Sequence, residues 1–225
     1  MIKFKNILVV APHVDDETLG CGGAILKFKK DKKKVSMILV CEAHGYTQNK
    51  KILLEKEKQV KKVKKFYKFN NFLRFDYPSS KMYKVDEKIL IDRFNEAIDK
   101  IKPDTIIIPF LNDAHSDHRI ISKTIQSCVK IFRKKYIKTI LFSEIISETD
   151  HAISTSVDNT FNPNLYIDIS KTFKNKIKIF KTFKTENGTH PFPRSVGSLT
   201  ALSKYRGSQC GCEYAEAFMI GRIIV

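Results

Sequence analysis

Residues 9–23 read VVAPHVDDETLGCGG, an apolar run that ends abruptly in polar residues before a cluster of glycines. Residues 7–10 are typical of a buried strand, and residues 16–18 supply the cap and acidic first turn that open a helix. A histidine and three carboxylates follow the strand: His13, Asp15, Asp16 and Glu17. Carboxylates crowded at one junction repel one another unless a positive group lies between them, and a divalent metal ion is the usual candidate.

The same alternation of apolar strand and helix continues along the chain. The predicted strands are residues 6–12, 35–41, 71–77, 104–110 and 139–144, and the predicted helices are residues 17–30, 52–68, 86–102 and 118–133. Short apolar strands without polar alternation are typical of a parallel sheet that helices cover on both faces. We therefore predict an α/β fold with a Rossmann-like, doubly wound, mostly parallel sheet and a 3-2-1-4-5 core strand order.

The strand and helix pattern loosens from about residue 145. Residues 147–170 and 185–198 are rich in Pro, Gly, Asn and Ser, which favours long C-terminal substrate loops over the site. No internal repeat or low-complexity linker interrupts the sequence, and 225 residues are enough for one substantial core. We predict that residues 1–225 form a single domain.

The chain is strongly basic, with a formal net charge of +17 and an isoelectric point near 9.6. Such a charge suits a nucleic-acid-binding protein. However, the lysines are spread over predicted helices, as in residues 28–34 and 56–68, without an arginine-rich arm, a zinc finger or an aromatic RNA-binding motif. We predict no dedicated nucleic-acid role; a solvated lysine surface and attraction of an anionic substrate such as a nucleotide sugar both remain open.

Composition also indicates a cellular location. No apolar run approaches the ~20 residues that span a bilayer, and residues 1–10 lack a signal-peptide cleavage site. The five cysteines, an odd number, fit a reducing compartment, so we expect a soluble cytoplasmic protein. Cys210 and Cys212 flank one glycine, and we interpret them as structural because neither a second cysteine pair nor a nearby histidine completes a metal site.

The glycines after the first strand do not indicate a dinucleotide site. Gly20 and Gly22 would need a third small residue at position 25, which is Ile25, and the three carboxylates before them would repel a pyrophosphate. We predict that these glycines allow the first helix to approach the sheet or the metal-bearing turn closely.

A second polar cluster follows the fourth predicted strand. Residues 106–120 read IIIPFLNDAHSDHRI and bring His115, Asp117 and His118 to the end of an apolar run. In a 3-2-1-4-5 order, strands one and four are neighbours, so both clusters lie in one crevice at the carboxyl edge. Taken alone, the first cluster is more typical of a helix cap and the second of a polar loop than of a metal site. Together they predict a catalytic metal site of two imidazoles and one carboxylate, a set that suits Zn²⁺ and that Fe²⁺ also accepts.

The motifs PHVDDE at residues 12–17 and HSDH at residues 115–118 resemble those of the LmbE-like, or PIG-L-like, family of metal-dependent N-acetylglucosaminyl deacetylases. The resemblance extends to four C-terminal segments: FNPNLYIDIS (161–170), HPFPRS (190–195), YRGSQ (205–209) and YAEAF (214–218). Val14 departs from the family, which commonly has proline there, and this should alter turn rigidity without altering the ligands.

The resemblance implies a role for each residue of the two motifs. His13, Asp16 and His118 would bind the metal, while Asp15 would stay unligated and act as the general base. His115, positively charged, would stabilise the oxyanion. The implied reaction removes the acetyl group from an N-acetylglucosamine-type sugar or its conjugate. An amidase acting on another amide conjugate is the nearest alternative.

Other polar residues have weaker assignments. Asp117 either orients a nearby histidine or caps a loop or helix, and Glu17 matches the helix dipole outside the catalytic set. Four residues are candidate substrate contacts, each with a surface or structural alternative: His44, His190, Arg194 and Arg206. Glu216 lies either near the site or as a satisfied acid in an apolar element.

Overall fold

A seven-stranded sheet forms the centre of the protein. The computed structural model describes residues 4–153 and 159–225. The strands are β1 (Asn6–Ala11), β2 (Lys34–Glu42), β3 (Phe72–Pro78), β4 (Thr105–Pro109), β5 (Thr139–Ser143), β6 (Leu165–Asp168) and β7 (Ala215–Ile223). Their order is β3-β2-β1-β4-β5-β7-β6, so the predicted 3-2-1-4-5 core is confirmed and parallel. The sheet differs at one edge, where β7 pairs antiparallel with both β5 and β6.

Helices lie against both faces of this sheet. They are α1 (Asp16–Lys30), α2 (Lys50–Tyr67), α3 (Glu87–Ile101), α4 (Ser116–Cys128), α5 (Phe173–Phe180) and α6 (Val196–Ser208). The first four match the predicted helices, except that α4 ends at Cys128, because Val129 leaves the helical conformation with φ −105° and ψ 27°. None of the helices in the described ranges combines the length and apolar character needed to cross a membrane.

Strand β1 shows why the sheet needs helices on both sides. Ile7 and Val9 belong to a buried cluster with residues of α1, α2 and α5, whereas Leu8 and Val10 belong to a second cluster with residues of α3 and α4. Successive side chains of a strand point to opposite faces, so an uninterrupted apolar strand is stable only where both faces are covered.

The prediction of long C-terminal loops was wrong in part. Residues 165–168 form strand β6, and helix α6 begins at Val196, inside the second predicted loop. Strand β6 has only four residues, and it exists because residues of β7, about fifty positions later, supply its hydrogen-bonding partners. Residues 154–158 of the predicted loops lie outside the described residues.

Helix α1 is kinked at Cys21, and side chains from the C-terminal part of the chain form hydrogen bonds with its backbone at the kink. Cys21 has φ −149° and ψ 21°, so the backbone N–H groups that follow it are free to bond elsewhere. The buried Glu216 carboxylate of β7 accepts from the N–H of Gly23 at 2.8 Å and of Ala24 at 2.7 Å. Lys176 of α5 donates to Glu216 at 2.7 Å and to the Leu19 carbonyl at 2.9 Å. Glu216 is therefore a satisfied acid that locks α1 to β7.

The close approach to the sheet is confirmed at Gly20, where a Cβ atom would lie 3.1 Å from the Ser143 side chain of β5, and the other glycines of α1 lie close to other segments. A Cβ atom at Gly23 would lie 2.8 Å from the Ile169 side chain, and one at Gly22 would lie 2.6 Å from the Tyr67 hydroxyl. Any side chain at these positions would push α1 away from the neighbouring segments. The glycines thus fix the position of the helix that begins at the metal motif.

Candidate functional site

The two polar clusters meet at the carboxyl edge of the sheet. Strands β1 and β4 are hydrogen-bonded neighbours, so the segments that follow them run side by side. The Nδ1 atom of His13 lies 3.3 Å from Oδ2 of Asp16, and Nε2 of His118 lies 3.2 Å from the same oxygen. These three side chains offer ligand atoms that all lie within 4.8 Å of one another.

Each of the two histidines is held by a further buried carboxylate. Nε2 of His13 lies 3.0 Å from Oδ2 of Asp117, and Nδ1 of His118 lies 2.9 Å from Oδ2 of Asp113. Thr149 in turn donates to Oδ1 of Asp113 at 2.7 Å. A carboxylate behind each imidazole fixes the ring orientation and tautomer, an arrangement typical of metal-binding histidines. Asp113 was missed in the sequence because it reads as one more polar residue of the loop.

The electrostatics of this group favour a cation at its centre. Burial by itself would raise the pKa of Asp16. His118 and His13 more than offset this effect, so the pKa lies well below its usual value and the carboxylate is ionised. Burial lowers the pKa of His118, but Asp16 and Asp113 raise it to about 9. Positive charge is therefore stabilised at this point despite the loss of solvent.

Two buried atoms support the fit to a metal ion. Oδ1 of Asp16 and Nε2 of His118 are buried without a hydrogen-bond partner among the described residues. Buried polar atoms normally have partners, so atoms left without one need an explanation such as an ion. Two imidazoles and one carboxylate with an open position are the donor set of catalytic zinc sites, and ferrous iron accepts similar donors. The residues present fit the metal.

A second group with ligand spacing overlaps the first and consists of His13, His115 and Asp117. Asp117 is saturated here, because its Oδ2 accepts from the Ser80 N–H at 2.7 Å besides contacting His13. The contact with His13 agrees with the predicted orienting role of Asp117, whose part in catalysis stays a prediction. The group that contains Asp16 is the better candidate because its unpartnered atoms are free to bind.

Asp15 occupies a strained backbone position beside the candidate ligands. Its φ of 154° and ψ of −26° lie outside the regions that an L residue readily adopts. The buried carboxylate accepts from Arg194 Nη1 at 3.0 Å through Oδ2. Burial raises the pKa of Asp15 to about 7, although Arg194 opposes the shift. A carboxylate with a pKa near neutrality is suited to exchanging protons at physiological pH.

His115 differs from the expectation that it is positively charged. Burial, and then the neighbouring His13 and His118, lower the pKa of His115 to about 4, so the imidazole is neutral. Its Nδ1 accepts from the Asp117 N–H at 3.1 Å at the start of α4. The proton of the neutral ring therefore lies on Nε2, which makes His115 a hydrogen-bond donor rather than a fixed charge.

Glu17 does more than match the helix dipole. Its buried side chain accepts from the Asp15 N–H at 3.1 Å through Oε2 and from the Thr18 hydroxyl at 2.5 Å through Oε1. Burial raises the pKa of Glu17 to about 8. The contact with the Asp15 N–H shows that Glu17 helps to hold the strained backbone next to the site.

A cavity of about 250 Å³ lies beside the candidate metal site and reaches it at His13, whereas Asp16 and His118 are not among its lining residues. Its lining includes His13, Asp15, Lys56, His115, Glu186 and Arg194. Lys56, from α2, pairs with Glu186, which precedes the turn leading to Arg194. Burial lowers the pKa of Lys56, but Asp15 and Glu186 raise it above its usual value. Lys56 and Glu186 were missed because nothing in a lysine-rich helix or in a polar loop distinguishes them locally.

The predicted substrate contacts fall into two groups. Arg194 lines the cavity, whereas His44, His190 and Arg206 are not among its lining residues. His44 and His190 are exposed. Arg206 donates from Nε to Glu144 at 2.8 Å and is a structural ion pair of α6. For these three residues the structure supports the surface or structural alternative.

The cysteine pair lies at the turn before β7. The Sγ atoms of Cys210 and Cys212 are 3.5 Å apart, and neither residue lines the cavity. Within residues 4–153 and 159–225, the groups with metal-ligand spacing are confined to the histidine site. The structural interpretation of these two cysteines therefore agrees with their position.

The fold and the site together define a doubly wound α/β protein with a candidate metal centre at the carboxyl edge of its sheet. The family model described as PIG-L, GlcNAc-PI de-N-acetylase, matches residues 8–129, which are more than half of the chain and include both polar clusters. The chain belongs to the PIG-L family, as its motifs indicated.

Solved structures of similar fold span nearly the whole chain. The N,N'-diacetylchitobiose deacetylase of Pyrococcus horikoshii has a TM-score of 0.76 at 18% identity, over 98% of this chain and 85% of that one. A conserved protein of Thermus thermophilus has a TM-score of 0.76 at 21% identity, over 98% and 96%. GalB, a 4-carboxy-2-hydroxymuconate hydratase of Pseudomonas putida, has a TM-score of 0.74 at 13% identity, over 98% of both chains. A deacetylase and a hydratase share this fold, so the activity must be argued from the site.

Proposed function

We propose that the protein is a metal-dependent hydrolase that removes the acetyl group from an N-acetylglucosamine-type sugar or its conjugate, and that residues 1–225 form one deacetylase domain. The observation that carries the proposal is the pair of buried atoms on Asp16 and His118 that make no hydrogen bond with the described residues, next to His13 and to a cavity that Asp15 also lines. Membership of a family described by de-N-acetylation supports the reaction type.

His13, Asp16 and His118 would hold the metal, for which Zn²⁺ is our first candidate and Fe²⁺ the second. A metal held there would supply acidification of a water molecule and polarisation of the amide carbonyl, which is the chemistry that amide hydrolysis needs. Asp113 and Asp117 would keep the two imidazoles in their orientation and tautomer.

The remaining steps belong to the side chains around the ligands. The bond with Arg194 engages Oδ2 of Asp15, so we assign Oδ1 to the proton of the attacking water. As water oxygen bonds to the carbonyl carbon, Nε2–H of His115 donates to the carbonyl oxygen, on which negative charge develops. Asp15 then returns its proton to the nitrogen as the carbon–nitrogen bond breaks. Acetate and a free amino sugar result.

We further propose a small-molecule amino sugar as the partner of this site, and a cytoplasmic location, for which the odd number of cysteines remains the argument. An amidase acting on another amide conjugate would use the same residues. A nucleic-acid-binding role would not require the ligand set at all, so the two classes respond differently to changes in the site.

The decisive experiment measures amine release from a panel of N-acetylglucosamine derivatives by protein loaded with Zn²⁺ or Fe²⁺, with a chelated sample as control. We expect release that depends on the metal. If metal binds and no sugar is hydrolysed, the amidase alternative is favoured, and a panel of other amides follows. If metal does not bind, the proposal fails, and salt-dependent binding to DNA or RNA becomes the measurement to make.

A further inference from the structure

We propose that the cavity selects an uncharged sugar conjugate. In this proposal Glu186 excludes anionic conjugates by forming ion pairs with both cations of the cavity wall, Lys56 and Arg194. The inference rests on the proposed function and names its substrate class. It opposes the interpretation in which the high positive charge of the chain serves to attract an anionic substrate.

Four of the five N–H donors of Arg194 are already engaged. Its Nε donates to Ser147 Oγ at 2.6 Å, and its Nη2 donates to Glu148 Oε1 at 2.7 Å. Its Nη1 is shared between Asp15 at 3.0 Å and Glu186 at 3.2 Å. The side chain is 15% exposed. A phosphate or carboxylate could make the two-bond contact typical of arginine only by breaking one of these hydrogen bonds, and the charge-assisted ones are stronger than neutral ones.

Lys56 pairs with the same glutamate. Its ammonium contacts Oε1 of Glu186, and the lysine side chain is only 10% exposed. Glu186 therefore connects the two cations, through Oε1 to Lys56 and through Oε2 to Arg194. Loss of its negative charge would free the ammonium and part of the guanidinium at the same time.

The rest of the lining suits a sugar. Glu42 is a third carboxylate of the lining, but it pairs with Arg74 at 2.8 Å. Asp15 and Glu186 are therefore the carboxylates that offset the charges of Lys56 and Arg194. Tyr46, Ser79 and Ser80 place hydroxyl-bearing side chains in the lining. Carboxylates accept hydrogen bonds from sugar hydroxyls, whereas an additional anion would meet like charge, which is the usual means of rejecting a wrong partner.

The basic surface lies elsewhere. Helix α2 carries eight lysines, of which Lys56 is buried and the other seven are exposed on the outer side. The charge that dominates the composition is thus mostly solvated and is not concentrated in the cavity.

The test compares methyl N-acetylglucosaminide, which is uncharged, with N-acetylglucosamine 6-phosphate. Binding to the zinc-loaded protein is measured by calorimetry and hydrolysis by amine release. We expect the uncharged ligand to bind at least about tenfold more tightly. Equal or tighter binding of the phosphate, or no binding of either ligand, would overturn the inference. Binding of the uncharged sugar without any hydrolysis would instead remove the proposed function and leave the selectivity standing.

The variant Glu186→Gln tests the assignment to Glu186. We expect it to raise the affinity for N-acetylglucosamine 6-phosphate, relative to that for methyl N-acetylglucosaminide, by about tenfold, because a freed cation can form a hydrogen bond with the phosphate. Glu55→Gln is the matched control. It also removes one carboxylate charge, but from a residue of α2 that does not line the cavity, so the ratio of the two affinities should not change. The double variant Lys56→Met/Glu186→Gln should lose most of this gain in relative affinity for the phosphorylated sugar. An unchanged ratio in Glu186→Gln would refute the role of Glu186.

Discussion

The parallel part of the sheet and its antiparallel edge contribute to the site in different ways. In the parallel part, candidate ligands follow directly after strands β1 and β4, within short segments of sequence. The antiparallel edge and the segment before α6 contact the site from far along the chain. Glu216 of β7 accepts a hydrogen bond from the backbone at the kink of α1, and Arg194, which precedes α6, donates to Asp15. Local motifs thus carry the chemistry, while distant segments hold it in position. Changes in the two regions should therefore have separable effects.

The largest effect should follow loss of a ligand. We expect His118→Ala to lose stoichiometric metal and all measurable metal-dependent turnover, because the imidazole offers one of three ligand atoms. Metal content after dialysis and amine release check this. His151→Ala, at an exposed histidine, is the control and should change neither. Full occupancy with unchanged affinity would remove His118 from the ligand set.

Asp15→Asn separates metal binding from proton transfer. We expect retained metal and turnover reduced by roughly 10²–10⁴, the range for loss of a general base. Metal analysis and steady-state kinetics on the same sample measure both quantities. Turnover close to that of the unaltered protein would show that another group takes the proton.

Lys176→Met tests the antiparallel edge. The variant leaves the buried Glu216 carboxylate without its ion-pair partner, so we expect the free energy of unfolding to fall by about 3–5 kcal/mol. Urea unfolding measures the loss. The double variant Lys176→Met/Glu216→Gln should lose less than the sum of the single changes. A loss below about 1 kcal/mol would show that the pair does not lock the kink.

Arg194→Lys should have a smaller effect, and on activity. An ammonium cannot reproduce the planar set of bonds to Ser147, Asp15 and Glu148, so Asp15 should lose part of its orientation. We expect turnover to fall by roughly tenfold to a hundredfold with metal content unchanged. If only the affinity for substrate changed, Arg194 would be a binding residue without influence on the base.

The smallest effect is expected for the other arginine, Arg206. Its partner is Glu144 and it does not line the cavity. We expect Arg206→Gln to keep its turnover and to lose about 1 kcal/mol of unfolding free energy. Kinetics and urea unfolding of this variant, beside those of Arg194→Lys, compare the two arginines directly. A loss of turnover in Arg206→Gln would place that residue in the site after all.

Much of the fold could be predicted because its signals are local. The apolar runs and helical patterns up to residue 144 predicted β1 to β5 and their order. Strand β6 escaped prediction because four residues beside Pro163 have no pattern of their own and pair only with the distant β7. The interpretation of Glu216 stayed open for the same reason, since its partners lie in α1 and α5.

The sequence by itself determined the parallel sheet and the two polar motifs, because each depends on residues close together in the chain. The candidate ligands His13, Asp16 and His118 are what the resemblance of those motifs to the PIG-L family implied. Only the tertiary structure decided which arginine reaches the site, that Asp113 supports His118, and that Glu186 occupies Lys56. Those contacts join segments that are far apart in sequence or depend on how a loop turns. A side chain's type and spacing do not specify such contacts, because packing of the whole chain brings the partners together.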